Sequence, residues 1–107
     1  MTEKTYNKLV RDDIPKVIEN SSKQCFISVV KGEELNQLLN EKLREEVEEY
    51  IESEELEELA DILEVIHGIL HFKNIDIKEL EEIRFKKAKE RGGFREGVKL
   101  IKVIERK

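Results

Sequence analysis

The chain has 107 residues, 42% of them charged and 38% hydrophobic, and its 20 basic against 25 acidic side chains give a formal net charge of -5. That length sets an expectation of one domain over residues 1–107 with a single modest core. The acidic balance excludes a general nucleic-acid binder, whose phosphate contacts need a basic excess, and no apolar stretch approaches the ~20 residues of a membrane-spanning helix.

The single cysteine, Cys25, cannot form an internal disulfide and supplies no Cys cluster for zinc. With an N-terminus that lacks the apolar core of a signal peptide, this fits a soluble protein of the reducing cytoplasm. Glu, Lys, Leu, Arg and Ala together make up about half the chain, the composition of long helices.

In chain order, Asp12-Asp13 before Ile14-Pro15 predicts a short aspartate-capped helix from Ile14 to about Asn20, with Val17 and Ile18 inward. Residues 25–30, Cys25-Phe26-Ile27-Ser28-Val29-Val30, form a β-branched and aromatic run of strand length closed by Lys31-Gly32. A second such run covers residues 98–104 after the turn-prone Gly92-Gly93 and Gly97, so a small two-stranded element is expected beside a helical body. Between the runs, three helices are predicted at about 33–52, 54–72 and 77–91. Ser53 is placed to cap the second of these, with Glu54 and Glu55 in its first turn, and so short a joint implies an antiparallel hairpin. The fold expected is therefore mainly α, an antiparallel helical bundle.

Residues 41–64 hold twelve acidic side chains and two basic ones, a density that resists packing unless cations gather there. At about 100° per residue, Leu35, Leu38, Leu39, Leu43, Val47, Tyr50 and Ile51 centre an apolar arc on the first long helix. Glu46 falls inside that arc and Glu49 at its margin, whereas Glu45 and Glu48 look toward solvent. On the next helix Glu58 falls between Val65 and Ile69, and Asp61 lies just beyond the arc's edge. Any one ExxE in a glutamate-rich helix is ordinarily a solvated salt-bridge partner. Two such pairs, Glu46 with Glu49 and Glu58 with Asp61, on the inner flanks of adjacent antiparallel helices are a different matter, because buried carboxylates must protonate, pair or bind a cation. An all-oxygen set suits Mg²⁺, or Mn²⁺ in its place.

The run Lys42-Leu43-Arg44-Glu45-Glu46-Val47-Glu48-Glu49, followed by Glu57-Glu58-Leu59-Ala60-Asp61-Ile62-Leu63, resembles the EExxE…ExxD signature of the all-α nucleoside triphosphate pyrophosphatases, the MazG-like and phosphoribosyl-ATP pyrophosphohydrolase-like superfamily. The opening Asn7-Lys8-Leu9-Val10-Arg11-Asp12-Asp13-Ile14-Pro15 and the late Lys87-Ala88-Lys89-Glu90-Arg91-Gly92-Gly93-Phe94 are similar to its small, predicted house-cleaning branch. The resemblance implies Mg²⁺ held by Glu46, Glu49, Glu58 and Asp61, and cleavage of a nucleoside triphosphate between the α and β phosphates to monophosphate and pyrophosphate. It also implies a homo-oligomer, dimer or tetramer. Only eight residues separate Glu49 from Glu58, fewer than is usual in the superfamily, so base selectivity is left open.

Arg84, Lys87 and Arg91 recur at i, i+3 and i+7 on the third long helix, a basic stripe expected to serve the substrate's phosphates, with Lys8 or Arg11 reaching in from the N-terminal segment. Glu45 is the candidate general base or supporting residue, beside Glu46. Phe94 and Tyr50 are candidates to stack on a base. His67 and His71 have the i, i+4 spacing of zinc ligands, but Gly68 stands where HExxH has its glutamate and no third ligand is evident. The alternatives are phosphoribosyl-ATP hydrolysis, which shares the chemistry, and a non-catalytic helical oligomerisation module.

Overall fold

A computed structural model describes residues 2–106. The protein is mainly helical, with α1 Ile14–Asn20, α2 Gly32–Ser53, α3 Leu56–Lys73 and α4 Ile77–Arg91. Among the described residues no segment is a strand. Two compact units divide the chain, Met1–Asn74 and Ile75–Lys107.

In the first unit α2 and α3 form a hairpin. Glu33 and Glu34 occupy the first turn of α2, and Glu57 and Glu58 that of α3, where negative charge complements the helix dipole. Glu54 ends α2 in the left-handed conformation at φ 56°, its N–H donating to the Tyr50 carbonyl at 2.6 Å. Ser53 is therefore the last residue of α2 rather than the cap of α3. Its hydroxyl accepts from the Glu55 N–H at 3.3 Å and stiffens the joint, while Glu55 takes the N-cap position without a side-chain capping bond.

A Cβ on Gly68 would lie 3.3 Å from Leu39 Cδ2, and seven residues further along α2 the Glu46 carboxylate meets Asp61, seven residues back along α3. The two helices are thus antiparallel, and the missing side chain of Gly68 lets them approach closely at Leu39. The buried apolar residues are few, Leu39 and Leu70. Leu56, Leu59 and Leu63 share one side of α3 within about 60° and are exposed, as is Ile51 near the closed end of the hairpin.

Residues preceding α1 run along this hairpin, tied to it by ion pairs described below. Asp13 stands at the N-cap of α1, but its side chain makes no capping bond, and proline in the first turn carries the helix start. Ile14 and Ile18 turn inward on α1, while Val17 is exposed, which corrects the sequence reading for Val17. One turn of i, i+4 spacing can seat two residues, and Ile14–Ile18 takes that register. The run at 25–30 is extended but unpaired, with Phe26 90% and Val29 93% exposed, so the expected two-stranded element is not formed. A ribbon with no sheet or helix behind it is marginal in water, and β-branched composition alone supplies no partner.

In the second unit Asp76 caps α4, its carboxylate accepting from the Lys78 N–H at 2.9 Å, and Gly92 ends the helix at φ 83°. Residues 98–104 follow without secondary structure, their apolar side chains exposed. No helix among the described residues is long and apolar enough to cross a membrane.

The close approach at Gly68 predicts that Gly68→Val, which inserts a branched side chain against Leu39, lowers stability by about 1–3 kcal/mol. Urea unfolding followed by helical circular dichroism measures it. An unchanged midpoint would show that the two helices do not meet there.

Candidate metal centre

Helix α2 presents Glu45, Glu46 and Glu49 with carboxylate oxygens within 4.8 Å of one another, and Glu46 forms a second such group with Glu58 and Asp61 of α3. Of the four carboxylates expected to converge, Glu49 groups with Glu45 and Glu46, and Glu58 and Asp61 group with Glu46, so the two triplets share Glu46 but no single group holds all four. The antiparallel register explains this: the i, i+3 pair on each helix occupies successive turns of one face, and the short joint sets the two faces opposite each other.

Glu46 is only 6% exposed. One of its oxygens, Oε1, lies 3.1 Å from Lys42 Nζ, one helical turn back, in the least exposed ion pair described. The other, Oε2, is buried with no hydrogen-bond partner. A buried carboxylate oxygen in that condition costs about 1–3 kcal/mol or more until something positive or protic meets it.

The surrounding charges are arranged around this oxygen. Hydrogen bonding to Glu46 favours the protonated form of Glu49 and holds its carboxyl above the ordinary range, with desolvation and the charges of Glu46, Glu58 and Glu45 adding to the effect. Glu58 is likewise raised, first by desolvation and then by repulsion from Asp61, Glu46 and Glu55. Like charges held this close resist full ionisation.

Glu45 differs from its sequence reading. Instead of facing solvent it is half-buried, accepting from Lys8 Nζ at 2.8 Å, with Lys42 Nζ at 3.5 Å. The Lys8 hydrogen bond, chiefly, draws the Glu45 carboxyl below its usual value and raises Lys8 in turn. A helical projection of α2 alone could not register this, because the covering group comes from 37 residues away. Arg11 behaves similarly toward Asp61, Nη2 to Oδ1 at 2.6 Å. The N-terminal segment thus delivers Lys8 and Arg11 to the acidic centre.

Beside these ion pairs opens a pocket of about 350 Å³ lined by Tyr6, Lys8, Val10, Arg11, Ile14, Ile18 and Lys42. Lys42 and Tyr6 are the residues that sequence reasoning missed. Lys42 was legible as the i, i+4 partner of Glu46. Tyr6, with Lys4 and Lys8 ammonium groups 5.0 and 5.7 Å from its ring centre, had no local signal.

Of the other candidates, Tyr50 is half-buried and His67 and His71 are exposed, outside both acidic groups. On α4 of the second unit Arg84 pairs with Glu81 at 2.8 Å, and Lys87 and Arg91 are exposed; Phe94 beyond the helix is fully exposed. Compared with known proteins, the chain matches no family model, no curated protein and no solved structure.

The donor set fits a hard divalent cation: Glu46, Glu49, Glu58 and Asp61 offer only carboxylate oxygens, as Mg²⁺ and Mn²⁺ prefer, and one oxygen of Glu46 is buried without a hydrogen-bond partner.

Raised folded-state values for Glu49 and Glu58 mean that these groups oppose folding at neutral pH, and the penalty disappears as pH falls through those values toward the ordinary 4.5. Glu45 has the opposite sign: its contribution is present above its unfolded value and is lost at lower pH, through its depressed folded value. Without divalent cations, the thermal midpoint should therefore rise as pH falls from neutrality toward the ordinary carboxylate value of 4.5 and decline once Glu45 protonates below it. Scanning calorimetry in a chelating buffer checks this, and Glu49→Gln should flatten the rise. A midpoint that falls steadily from pH 7 downward would contradict the proximity of these carboxylates.

Proposed function

We propose that this chain is a Mg²⁺-dependent nucleoside triphosphate pyrophosphohydrolase of the MazG-like kind, acting in the cytoplasm and cleaving the α–β phosphoanhydride to nucleoside monophosphate and pyrophosphate. The observation that carries the reading is the buried Glu46 carboxylate, one oxygen unpartnered, at the vertex shared by the two acidic triplets. Retaining that oxygen unpaired is understandable in a protein that takes up a cation there.

Glu46, Glu49, Glu58 and Asp61 are the residues that would hold the ion, which when bound neutralises phosphate charge and acidifies a water. Glu45, adjacent to Glu46 and within the same acidic triplet, is suited to orient that water through its free lone pairs. Lys8, Arg11 and Lys42 line the pocket alongside and supply positive charge for a polyphosphate, whose transfer chemistry is carried mainly by positioning and electrostatics. Arg84, Lys87 and Arg91 enter this reading through the family resemblance. Substrate choice within the class extends to non-standard nucleotides and includes phosphoribosyl-ATP as the nearest rival.

The same reading has the chain work as a homo-oligomer, dimer or tetramer. Its support is physical: a hairpin that buries Leu39 and Leu70 while exposing Leu56, Leu59 and Leu63 on one side has an apolar face and too little core of its own.

Incubation with Mg²⁺ and a panel of nucleoside triphosphates and phosphoribosyl-ATP should release pyrophosphate. Glu46→Gln and Asp61→Asn should lower turnover on the order of 100-fold or more. Release of orthophosphate would refute the proposed bond cleavage, and variants with intact Mg²⁺ binding would favour the interaction module. Sedimentation analysis should find an oligomer that Leu63→Lys dissociates; a wild-type monomer at micromolar concentration would overturn the association.

A further inference from the structure

We propose that Lys8 and Arg11 are displaceable counter-ions: without metal they neutralise Glu45 and Asp61, and when a divalent cation enters the carboxylate centre they are released toward the adjoining pocket, where they bind a phosphate-bearing anion. The inference rests on the cation site described above and adds an order of binding, metal before anion.

Three geometric facts lead to it. The two cations come from one short stretch preceding α1, and each engages a different helix of the hairpin, Lys8 to Glu45 of α2 and Arg11 to Asp61 of α3. Both contacts fall on members of the acidic triplets, so each cation occupies electrostatic territory that a metal would claim. Both side chains also line the 350 Å³ pocket, so loss of their carboxylate partners leaves them beside a cavity that Lys42 already makes positive and that Ile14 and Ile18 make apolar.

The ion pairs are of the exchangeable kind. Lys8 and Glu45 are 40% and 29% exposed at the side chain, and Arg11 and Asp61 53% and 36%. Such pairs are weak and solvent-screened, whereas a divalent cation shared among several carboxylates binds each far more strongly. Lys42, 16% exposed against a buried Glu46, is the fixed member of the set. The buried, unpartnered Glu46 oxygen gives the incoming ion a contact that neither Lys8 nor Arg11 makes.

The opposite signs of two affinities test this. Mn²⁺ binding to the full chain, followed by electron paramagnetic resonance, should tighten about three- to tenfold in Lys8→Met/Arg11→Met, because the competing cations are gone. Binding of inorganic phosphate, measured by calorimetry at saturating Mg²⁺, should weaken at least about fivefold in the same variant and should be undetectable in wild type without Mg²⁺. Lys23→Met, an exposed cation outside the pocket and both ion pairs, should leave both affinities near wild type, and circular dichroism verifies the helices in each variant. A merely structural role would weaken metal and phosphate together, and that result, or Mn²⁺ binding indifferent to the double substitution, overturns the exchange while leaving the metal site standing. Absence of any Mn²⁺ binding sensitive to Glu46→Gln would overturn both.

Discussion

A carboxylate oxygen without a partner, buried between two antiparallel helices, governs the first unit of this protein. Desolvating Glu46 is expensive, and Lys42 offsets half of the side chain while Oε2 stays unmatched. Around it the hairpin gathers Glu49, Glu58 and Asp61, whose mutual repulsion adds to the cost. Hydrophobic burial in the hairpin is slight, with Leu39 and Leu70 as its buried apolar side chains among the described residues.

Rigid and exchangeable parts divide the work. The helices α2 and α3 hold the carboxylates at fixed spacing, with Gly68 allowing the close approach that sets them face to face. The residues before α1 contribute charges on long, partly exposed side chains, Lys8 and Arg11. In the proposed reading, fixed acids and exchanging bases serve a divalent cation and a polyanion in turn, since the two ligands demand opposite local charge.

Apolar residues without cover tell a related story. Leu56, Leu59 and Leu63 on α3, the extended run at 25–30 and the terminal run at 98–104 leave large side chains in water. In the proposed homo-oligomer, a second hairpin of the same kind would present a matching face to α3.

The helices were readable in the letters, because apolar spacing, Pro15 and Gly92 act within a turn or two, although Ser53 closed α2 instead of capping α3. The inward turn of Glu46 was readable for the same reason: a projection of one helix locates every residue of that helix. Glu45 was misread, since Lys8 approaches from outside the helix and converts a solvent-facing position into a half-buried one. The strand-like runs at 25–30 and 98–104 failed in another way, as strand formation depends on a neighbour that composition cannot supply. Local periodicity therefore established the helices and the acidic face, whereas the joining of two faces into one centre, its cationic cover and its pocket arose from contacts between residues up to 50 positions apart. Such contacts depend on register and chain path, which no window along the chain contains.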